Sequence, residues 1–376
     1  MMKNQSYGFT FLLILFFLGC TPTKQIEEVK TSQMVTTSNT IPPKIKNVIL
    51  LVGDGMGVTQ VSSSFYFGAT KDPNFVRFPI TGFSRTSSAS HLITDSAAGA
   101  VAFASGVKTY NGAISYTKEG PIKSITEYAE EANKRTGVLS TSSVTHATPA
   151  CFYGHQSKRS SVNEALALQF VSSGVDVLMG GGHKYFTKRK DGLHLLDSLK
   201  GMGYTVLDEL NESLESGTDK AIYFCSPEHP KGVDVRGPFL PNATQKALNI
   251  LNLNNDNGFF AMVEGAQIDW GGHNNDSEYI INEMLDFDNA IEKVLDFAEK
   301  DGETLVIITA DHETGGYAII EGDLDGKNMT GGFSTAHHSA AMIPVFAYGK
   351  GAENFAGIYE NTEIFHKMMK AFYFKG

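Results

Sequence analysis

The sequence contains little cysteine. Only three of its 376 residues are cysteines, and one of them, Cys20, lies in a terminal segment discussed below. The remaining pair, Cys151 and Cys225, is too small and too widely spaced for a cysteine-based zinc site. One disulfide between them is permitted, but nothing in the pattern argues for it. We expect both to be small buried hydrophobic side chains.

Positive charge is also scarce. Lysine and arginine total 31 against 41 aspartates and glutamates, a formal net charge of −10, and no basic stripe interrupts the chain. Because nucleic-acid backbones require an excess of lysine and arginine, this balance argues against nucleic acid as a partner. An anionic substrate would need local positive charge, from metal ions or a placed arginine. Alternatively, the acidity merely keeps an exported protein soluble.

The one long apolar run, residues 9–18, is too short to span a membrane comfortably and follows Lys3. Gly19-Cys20 directly after it resembles a bacterial lipoprotein signal, in which Cys20 is lipidated and becomes the first mature residue. The alternative is a conventional cleaved signal peptide. Either version predicts export, to the periplasm or to an outer-membrane anchor. Residues 21–45, rich in Thr, Ser, Lys, Gln and Pro, are predicted to be a disordered tether.

From residue 46 to 376 the chain alternates strand-like and helical stretches without an internal repeat or a dividing linker. This pattern predicts a single α/β domain with a largely parallel sheet. The glycine-rich stretch 322–332 is interpreted as a surface insertion. Predicted strands are 48–52, 136–141, 175–179, 204–207, 220–224, 259–263, 304–309 and 343–348, and predicted helices are 97–104, 125–134, 162–172, 193–202, 243–251 and 279–300.

Three of the apolar strands are followed directly by acidic residues. Asp54, Glu264 and Asp311 come at or just after the ends of strands 48–52, 259–263 and 304–309. The carboxyl ends of parallel strands lie on one edge of a sheet, so the three carboxylates should converge there. Such carboxylates repel one another and are costly to bury unpaired. The pattern therefore predicts bound cations.

A serine begins the helix that follows Thr94-Asp95. A helix N-terminus offers free N–H groups and a partial positive charge, which suits a phosphate near Ser96. The same Thr-Asp-Ser sequence before an alanine-rich run is also an ordinary helix cap. Taken alone, the motif favours the cap.

Histidines accompany the acids at several strand ends. Asp269 and His273 are four residues apart and could share an ion if their segment is helical. Asp311 is followed by His312, and His338 lies in a predicted loop before strand 343–348. A lone histidine is usually structural, but repeated Asp and His pairs weaken that reading, and two zinc ions fit this donor set.

Another group of candidate ligands offers only oxygen. Asp54, Glu264 and the Thr148 hydroxyl match magnesium better than zinc. His146 lies two residues before Thr148 and is a ligand or the neighbour of one. Arg159 has the planar fork that suits phosphate, although in isolation it could be a solvated surface charge.

Together these motifs resemble those of bacterial alkaline phosphatases, and they occur in the family's order from about residue 46 to the C-terminus. The chain is most similar to the compact, cold-active marine branch. The resemblance implies a three-layer α/β/α sandwich around a large, mostly parallel sheet. The motifs that carry it are Asp54, Thr94-Asp95-Ser96, His146-Ala147-Thr148-Pro149, Glu264, Asp269 with His273, Asp311-His312 and His338.

The resemblance also implies an activity, metal-dependent hydrolysis of phosphate monoesters through a phosphoserine formed on Ser96. Arg159 would bind the phosphate, and the protein would be a homodimer. The implied cofactors are two Zn²⁺ and one Mg²⁺: Asp269, His273 and His338 for one zinc; Asp54, Asp311, His312 and the Ser96 oxygen for the other; Asp54, Thr148 and Glu264 for magnesium.

The chain departs from the enteric bacterial prototype at His146, which replaces an aspartate, and at Trp270, which replaces a lysine. By resemblance Trp270, the only tryptophan, lies beside the metals without binding one. The family pattern selects His338 rather than His337 as the ligand. These departures bear on how tightly the third metal binds and on its identity.

Two other functional classes remain possible from the sequence. A sister hydrolase, such as a phosphodiesterase or sulfatase, would share the metal-dependent fold, although the residues after Ser96 lack the Pro and Arg pattern of sulfatases. A lipid-anchored protein that captures metal or phosphate would need the ligands but no nucleophile. Release of phosphate from a monoester separates the enzyme from the binding protein.

Overall fold

The protein is described by a computed structural model that covers residues 45–68, 72–211, 213, 217–324 and 326–372. The predicted signal segment and the predicted tether up to residue 44 lie outside these residues. Among the described residues, no helix combines the length and apolarity required to span a membrane.

The described chain alternates strands with helices from its first element onward. The strands are β1 (Asn47–Gly53), β2 (Ile80–Arg85), β3 (Tyr116–Thr117), β4 (Gly120–Pro121), β5 (Arg135–Ser143), β6 (Val177–Gly181), β7 (Thr205–Leu207), β8 (Ala221–Ser226), β9 (Phe259–Gly265), β10 (Thr304–Thr309), β11 (Glu313–Thr314), β12 (Tyr317–Glu321), β13 (Thr330–Phe333), β14 (His338–Ser339), β15 (Ile343–Tyr348) and β16 (Gly357–Glu360). The α-helices are α1 (Val58–Phe67), α2 (Ser96–Ser105), α3 (Ile125–Glu131), α4 (Ala147–Ala150), α5 (Asn163–Val171), α6 (His183–Thr187), α7 (Leu195–Gly201), α8 (Val233–Arg236), α9 (Phe239–Asn252), α10 (Ile268–Asn274), α11 (Ser277–Asp301) and α12 (Thr362–Ala371), with short 3-10 helices at Asn74–Arg77 and Ala352–Phe355.

A ten-stranded sheet forms the centre of the fold, in the order β16-β2-β15-β10-β1-β9-β5-β6-β8-β7. Within it only β15 runs antiparallel, to β10 on one side and β2 on the other. Strands β10, β1 and β9 are adjacent and parallel. Their carboxyl ends therefore lie side by side, as the sequence predicted.

Helices cover both faces of this sheet, because successive strand side chains point to opposite sides. On β1, Val48, Leu50 and Val52 enter one core, with side chains from α2, α3, α5, α7 and α12. Ile49 and Leu51 enter the other core, with side chains from α9 and α11. Burial on both faces explains why β1 is a continuous apolar run. The predicted three-layer α/β/α architecture is confirmed.

Several elements were not predicted or differ in extent. The elements that were missed are helices α1, α4, α6, α8 and α12, strands β2 and β16, and the short strands β3, β4, β11, β12, β13 and β14. Helix α3 ends at Glu131 instead of residue 134, and Asn133 adopts a left-handed conformation with φ of 56°. The stretch 322–332, interpreted as an insertion, ends within β13, which pairs with β12 as a hairpin. His338, placed in a loop by the sequence, lies in the two-residue strand β14.

The two cysteines in the described residues are both free. Cys151 is buried, as expected, and its thiol lies 3.6 Å from the Ala97 carbonyl oxygen beneath helix α2. Cys225 is only half-buried in β8, which corrects the prediction that both cysteines would be buried.

Candidate active site

The three carboxylates predicted at the sheet edge do converge there. Glu264 lies in β9 directly opposite Val52 of β1, and Asp54 follows β1 immediately. Asp311 comes two residues after β10, the strand on the other side of β1. All three side chains are fully buried. The adjacency of three parallel strands thus creates a concentration of negative charge inside the protein.

Asp54, Asp311 and His312 form a buried group whose ligand atoms lie within 4.8 Å of one another. His312 Nε2 is 3.6 Å from Asp54 Oδ1 and 3.3 Å from Asp311 Oδ2. The pKa of His312 is lowered well below its usual value, first by burial and then by the nearby His338. A lowered pKa favours the neutral ring, the form in which a ring nitrogen has a lone pair that can bind a cation.

Asp269, His273 and His338 form a second group of the same kind. Helix α10 places Asp269 and His273 one turn apart on one face, which fulfils the condition set by their spacing. Asp269 Oδ1 is 3.4 Å from His273 Nε2 and 3.6 Å from His338 Nε2. The two Nε2 atoms are 3.2 Å apart. His338 belongs to this group, whereas His337 is exposed.

The three histidines are oriented in the same way. Nδ1 of His273 lies 2.7 Å from the Ala336 carbonyl oxygen, and Nδ1 of His338 lies 2.9 Å from that of Thr94. His312 Nδ1 is 3.2 Å from the Thr314 hydroxyl, which itself donates to Asp269. A carbonyl oxygen can only accept, so Nδ1 of His273 and of His338 carries the proton. Nε2 then points into the site, the usual arrangement of metal-binding histidines.

Ser96 is the first residue of α2 and is 3% exposed. Its hydroxyl lies 3.4 Å from His312 Nε2, beside the group that contains Asp54 and Asp311. The helix is capped by Asp95, whose side chain accepts a 3.0 Å hydrogen bond from the Ala98 N–H. The cap that the sequence suggested is therefore supplied by Asp95, and the Ser96 hydroxyl is not needed for it.

A third group offers oxygen atoms alone. In the described part of the chain, both carboxylate oxygens of Asp54, Oε1 of Glu264 and the hydroxyl of Thr148 are buried without a hydrogen bond. Burial raises the pKa of Glu264 to about 8, with Asp311 adding to the effect. Burial and then the charge of Asp311 also raise the pKa of Asp54 well above its usual value.

These unsatisfied atoms fit bound cations. Buried polar atoms are almost always paired, and a carboxylate without partners is costly. Two groups combine imidazole nitrogen with carboxylate oxygen, the donors typical of zinc. The third offers carboxylate and hydroxyl oxygen, the donors typical of magnesium. Because Asp54 has two unpaired oxygens, it can contribute to two neighbouring sites.

Arg159 lies at the same edge of the sheet. Its Nη1 is 3.3 Å from Asp95 Oδ2 and its Nη2 is 3.2 Å from His146 Nε2. The guanidinium can only donate, so His146 Nε2 accepts and its proton lies on Nδ1. The pKa of His146 is lowered well below its usual value by burial and then by Arg159. In this arrangement Nε2 of His146 contacts the arginine, whereas its Nδ1 is buried without a hydrogen bond among the described residues.

Trp270 lies on α10 between Asp269 and His273 and is outside both ligand groups. Its ring centre is 5.3 Å from that of His229, and His229 is also 5.3 Å from His146, with both contacts edge-on. His229 Nδ1 accepts a 3.1 Å hydrogen bond from the Ser143 N–H. His229 thus contacts both His146 and Trp270.

His229 and Thr314 were not predicted from the sequence. Glu228 directly precedes His229, but the pair lies several residues beyond predicted strand 220–224 and not at its end, so it gave no signal of a site. Thr314 could have been suspected, because it lies two residues after His312. Its bridging position between His312 and Asp269 nevertheless depends on α10, a helix that is distant in the sequence.

Comparisons with known proteins identify the family of this chain. The family model described as alkaline phosphatase matches residues 45–331 and 324–374. Alkaline phosphatase 3 of Bacillus subtilis (strain 168) is 34% identical over 87% of this chain and 89% of its own length.

Two solved structures are similar over nearly the whole described chain. The alkaline phosphatase from the Antarctic bacterium TAB5 is 44% identical, with a TM-score of 0.83 over 89% of this chain and 100% of that chain. A histidine-to-glutamate variant of the same TAB5 enzyme, with magnesium bound in its M3 site, is 45% identical, with a TM-score of 0.82 and the same coverage. The match between fold, motif order and sequence shows that this chain belongs to the alkaline phosphatase family.

Proposed function

We propose that this alkaline phosphatase hydrolyses phosphate monoesters with Ser96 as its nucleophile. Family membership identifies the overall reaction, release of inorganic phosphate from a monoester. The observation that carries the assignment of Ser96 is its buried hydroxyl at the N-terminus of α2, 3.4 Å from His312 Nε2 and beside the paired ligand groups. A binding protein would not require such a hydroxyl.

The metal ions are proposed to be two zinc ions and one magnesium ion. Asp269, His273 and His338 would hold one zinc, and Asp54, Asp311, His312 and the Ser96 oxygen the other. Asp54, Thr148 and Glu264 would hold magnesium. When bound, such ions supply Lewis-acid stabilisation of the negative charge on phosphoryl, attacking and leaving oxygens.

In the proposed reaction, the Ser96 oxygen forms a bond to phosphorus while the bond to the departing alcohol oxygen breaks. Water then attacks the phosphorus of the phosphoserine, and the bond between phosphorus and the Ser96 oxygen breaks. The serine hydroxyl is restored and inorganic phosphate is released. The free N–H groups and dipole of α2 favour the phosphate at this position. Phosphoryl transfer relies mainly on such positioning and charge stabilisation.

Arg159 would grip two non-bridging phosphate oxygens with its planar fork. Asp95 and His146 hold its two terminal nitrogens at 3.3 and 3.2 Å, so the side chain is already directed toward the helix N-terminus. The Arg159 side chain is about a third exposed, which leaves room for a substrate to reach it. We expect this preorganisation to reduce the entropy lost when the phosphate binds.

The direct test is hydrolysis of a chromogenic phosphate monoester at alkaline pH, before and after chelation, with zinc and magnesium added back separately and together. We expect chelation to abolish turnover, zinc to restore it, and magnesium to increase it further. A chromogenic phosphodiester serves as the comparison substrate. Absence of monoester turnover under every metal condition would refute the proposal, and a preference for the diester would identify a phosphodiesterase.

We also propose that the protein is exported and anchored through lipidated Cys20, and that it is a homodimer. Support for the anchor is the apolar run 9–18 followed by Gly19-Cys20, and support for the dimer is the family resemblance. Cys20→Ser should release the protein from the membrane fraction if the anchor is real. Light scattering of the purified protein measures its subunit number.

A further inference from the structure

The position of Arg159 depends on the segment that carries it, residues 155–162 between α4 and α5. Arginine has a long flexible side chain, so its guanidinium is placed accurately only where the backbone beneath it is fixed. Both ends of this segment are attached to neighbouring elements of the fold. The first end has an unusual attachment at His155.

Both ring nitrogens of His155 face acceptors. Nδ1 lies 3.0 Å from the Ser115 carbonyl oxygen, and Nε2 lies 3.3 Å from Oε1 of Glu127. Neutral imidazole has a single N–H, so satisfying both acceptors requires the charged imidazolium. The hydrogen bond with Glu127 accordingly raises the pKa of His155 above its usual value. The side chains of His155 and Glu127 are 24% and 33% exposed, so the ion pair is partly shielded from water.

Glu127 is itself fixed in place. It occupies the third position of α3, and its Oε2 accepts hydrogen bonds from the N–H and the hydroxyl of Ser124, at 2.7 and 3.0 Å. This is a capping box, which ties the carboxylate to the helix start. Ile125 and Ala129 bury α3 against the sheet. His155 is thus attached through Glu127 to a rigid element of the core.

The backbone around His155 is also anchored. Its N–H donates to Oε1 of Gln169 at 2.9 Å, and Nε2 of Gln169 donates back to its carbonyl oxygen at 3.1 Å. Gln156 exchanges two hydrogen bonds with Ile114, at 2.8 and 2.9 Å. A Cβ at Gly154 would lie 2.7 Å from Leu166 Cδ2, so the chain passes close to α5 here. These contacts give the segment a fixed starting point.

The far end of the segment is tied to the site by a different contact. The hydroxyl of Thr145, directly before His146, donates to Oδ1 of Asn163 at 3.0 Å. Nearer the first end of the segment, the Tyr110 hydroxyl donates to the Ser157 carbonyl oxygen at 3.0 Å. With both ends fixed, the span that bears Arg159 has little freedom to shift relative to Asp95 and His146.

We propose that His155 is a positioning residue for Arg159, acting as a charged clamp between Ser115 and Glu127 that fixes the segment carrying the guanidinium. The proposal rests on the phosphate-binding role of Arg159 proposed above. His155 does not touch the metal ligands or the nucleophile in this scheme, and its whole effect on turnover passes through Arg159. That distinguishes a clamp from a residue that merely stabilises the fold.

The test is a double-mutant cycle of His155→Ala and Arg159→Ala, with kcat/KM for a chromogenic monoester and inhibition by inorganic phosphate as readouts. Loss of the clamp should lower kcat/KM about tenfold, because small misplacements of catalytic groups are costly. It should weaken phosphate inhibition by a similar factor. In the Arg159→Ala background the same change should alter either readout by less than about twofold, because residues that act as a unit are not additive.

Two further variants make the test decisive. Glu127→Gln keeps the helix cap but removes the charge that pairs with His155. It should lower kcat/KM about threefold, and by much less in the Arg159→Ala background. If His155→Ala fails to fold, Glu127→Gln takes its place in the cycle. His194→Ala disrupts a similar histidine–carboxylate pair at 3.0 Å on the surface and should leave both readouts at parental values. Zinc content should match the parent throughout.

If the decreases in kcat/KM caused by His155→Ala and by Arg159→Ala multiply fully in the double variant, the clamp is overturned. The phosphatase assignment would be unaffected by that result. Parental kcat/KM in both His155→Ala and Glu127→Gln would overturn it as well. Parental kcat/KM and phosphate inhibition in Arg159→Ala would instead refute the role proposed for Arg159, and the clamp with it. Absence of turnover in the parent enzyme would refute the proposed function itself.

Discussion

At the scale of single residues, the start of α2 separates two tasks that the sequence could not distinguish. Asp95 caps the helix by accepting from the Ala98 N–H. Ser96 lies beside it with its hydroxyl 3.4 Å from His312 Nε2. Because the cap is supplied by the neighbour, removal of the serine hydroxyl should affect chemistry far more than stability.

We therefore expect Ser96→Ala to lower monoester turnover by about 10³-fold or more, as loss of a covalent nucleophile does. Zinc content, measured by mass spectrometry, and the thermal midpoint should stay near those of the parent, since three protein ligands remain in each zinc group. Ser62→Ala, which removes an exposed serine hydroxyl on α1, is the matched control. Near-parental turnover in Ser96→Ala would count decisively against the nucleophile.

At the scale of secondary-structure elements, the site depends on how closely α2 approaches the end of β10. The closest point is Gly99, at which a Cβ would lie 2.8 Å from Asp311 Cβ and 3.1 Å from the Asp311 carbonyl oxygen. These atoms belong to a buried turn and cannot rotate away. A glycine here is required by packing, not by its backbone angles.

Gly99→Ala is expected to push α2 away from Asp311, costing about 1–3 kcal/mol of stability, as overpacking of a core does. Turnover should fall as well, because Ser96 moves with the helix. Gly201→Ala in α7 is the control: nothing lies within 4 Å of its added Cβ, so stability should be unchanged or slightly higher. Urea unfolding and monoester turnover of both variants measure the two effects. Equal behaviour of the two variants would contradict the packing argument.

At the scale of the whole molecule, negative charge is buried at both ends of the sheet. Besides the carboxylates of the candidate site, Glu130 and Asp176 lie near the amino ends of β5 and β6. Burial raises the pKa of Glu130 to about 7, with Asp176 adding to it, and raises that of Asp176 to about 6. The folded state therefore binds more protons than the unfolded chain, and stability falls as pH rises through this range.

The substitution Glu130→Gln should remove part of the fall in stability at high pH. Glutamine can still accept from the Thr136 hydroxyl, which donates to Glu130 in the parent. At pH 9 we expect the free energy of unfolding to rise by about 1–2 kcal/mol, less than the full pKa shift implies because the side chain is partly exposed. At pH 5, where Glu130 is protonated in the fold, the change should be within about 0.5 kcal/mol.

Denaturant unfolding at both pH values measures this difference. Glu131→Gln, an exposed neighbour paired with Lys123, serves as the control and should show no such dependence on pH. If Glu130→Gln stabilised the protein equally at both values, the buried charge would not be the cause.

The sequence alone predicted the α/β architecture with its largely parallel sheet. It also predicted most of the residues that the structure brings together at the candidate site. Continuous apolar runs identified β1, β9 and β10, because strands buried on both faces have no polar side to display. The acids directly after them were correctly expected at one edge of the sheet. The four-residue spacing of Asp269 and His273 was enough to propose a shared ligand face, which α10 provides.

Local patterns failed where the element's own residues do not favour its structure. Helix α1 is rich in valine, serine and aromatic residues, which are weak helix formers, and packing against α11 and β12 stabilises it. Strand β2 contains a glycine and takes its place from pairing with β15 and β16. Neither the packing of α1 nor the pairing of β2 can be predicted from a short window of sequence.

The sequence by itself determined which chemical groups the protein possesses and, through strand periodicity, that its acids meet at one edge. The tertiary structure decided how those groups are aimed. His338 is oriented by Thr94, 244 residues away, Asp269 is joined to His312 by Thr314, and His229 enters between His146 and Trp270. Such contacts link positions with no regular spacing between them, so only the folded chain brings them together.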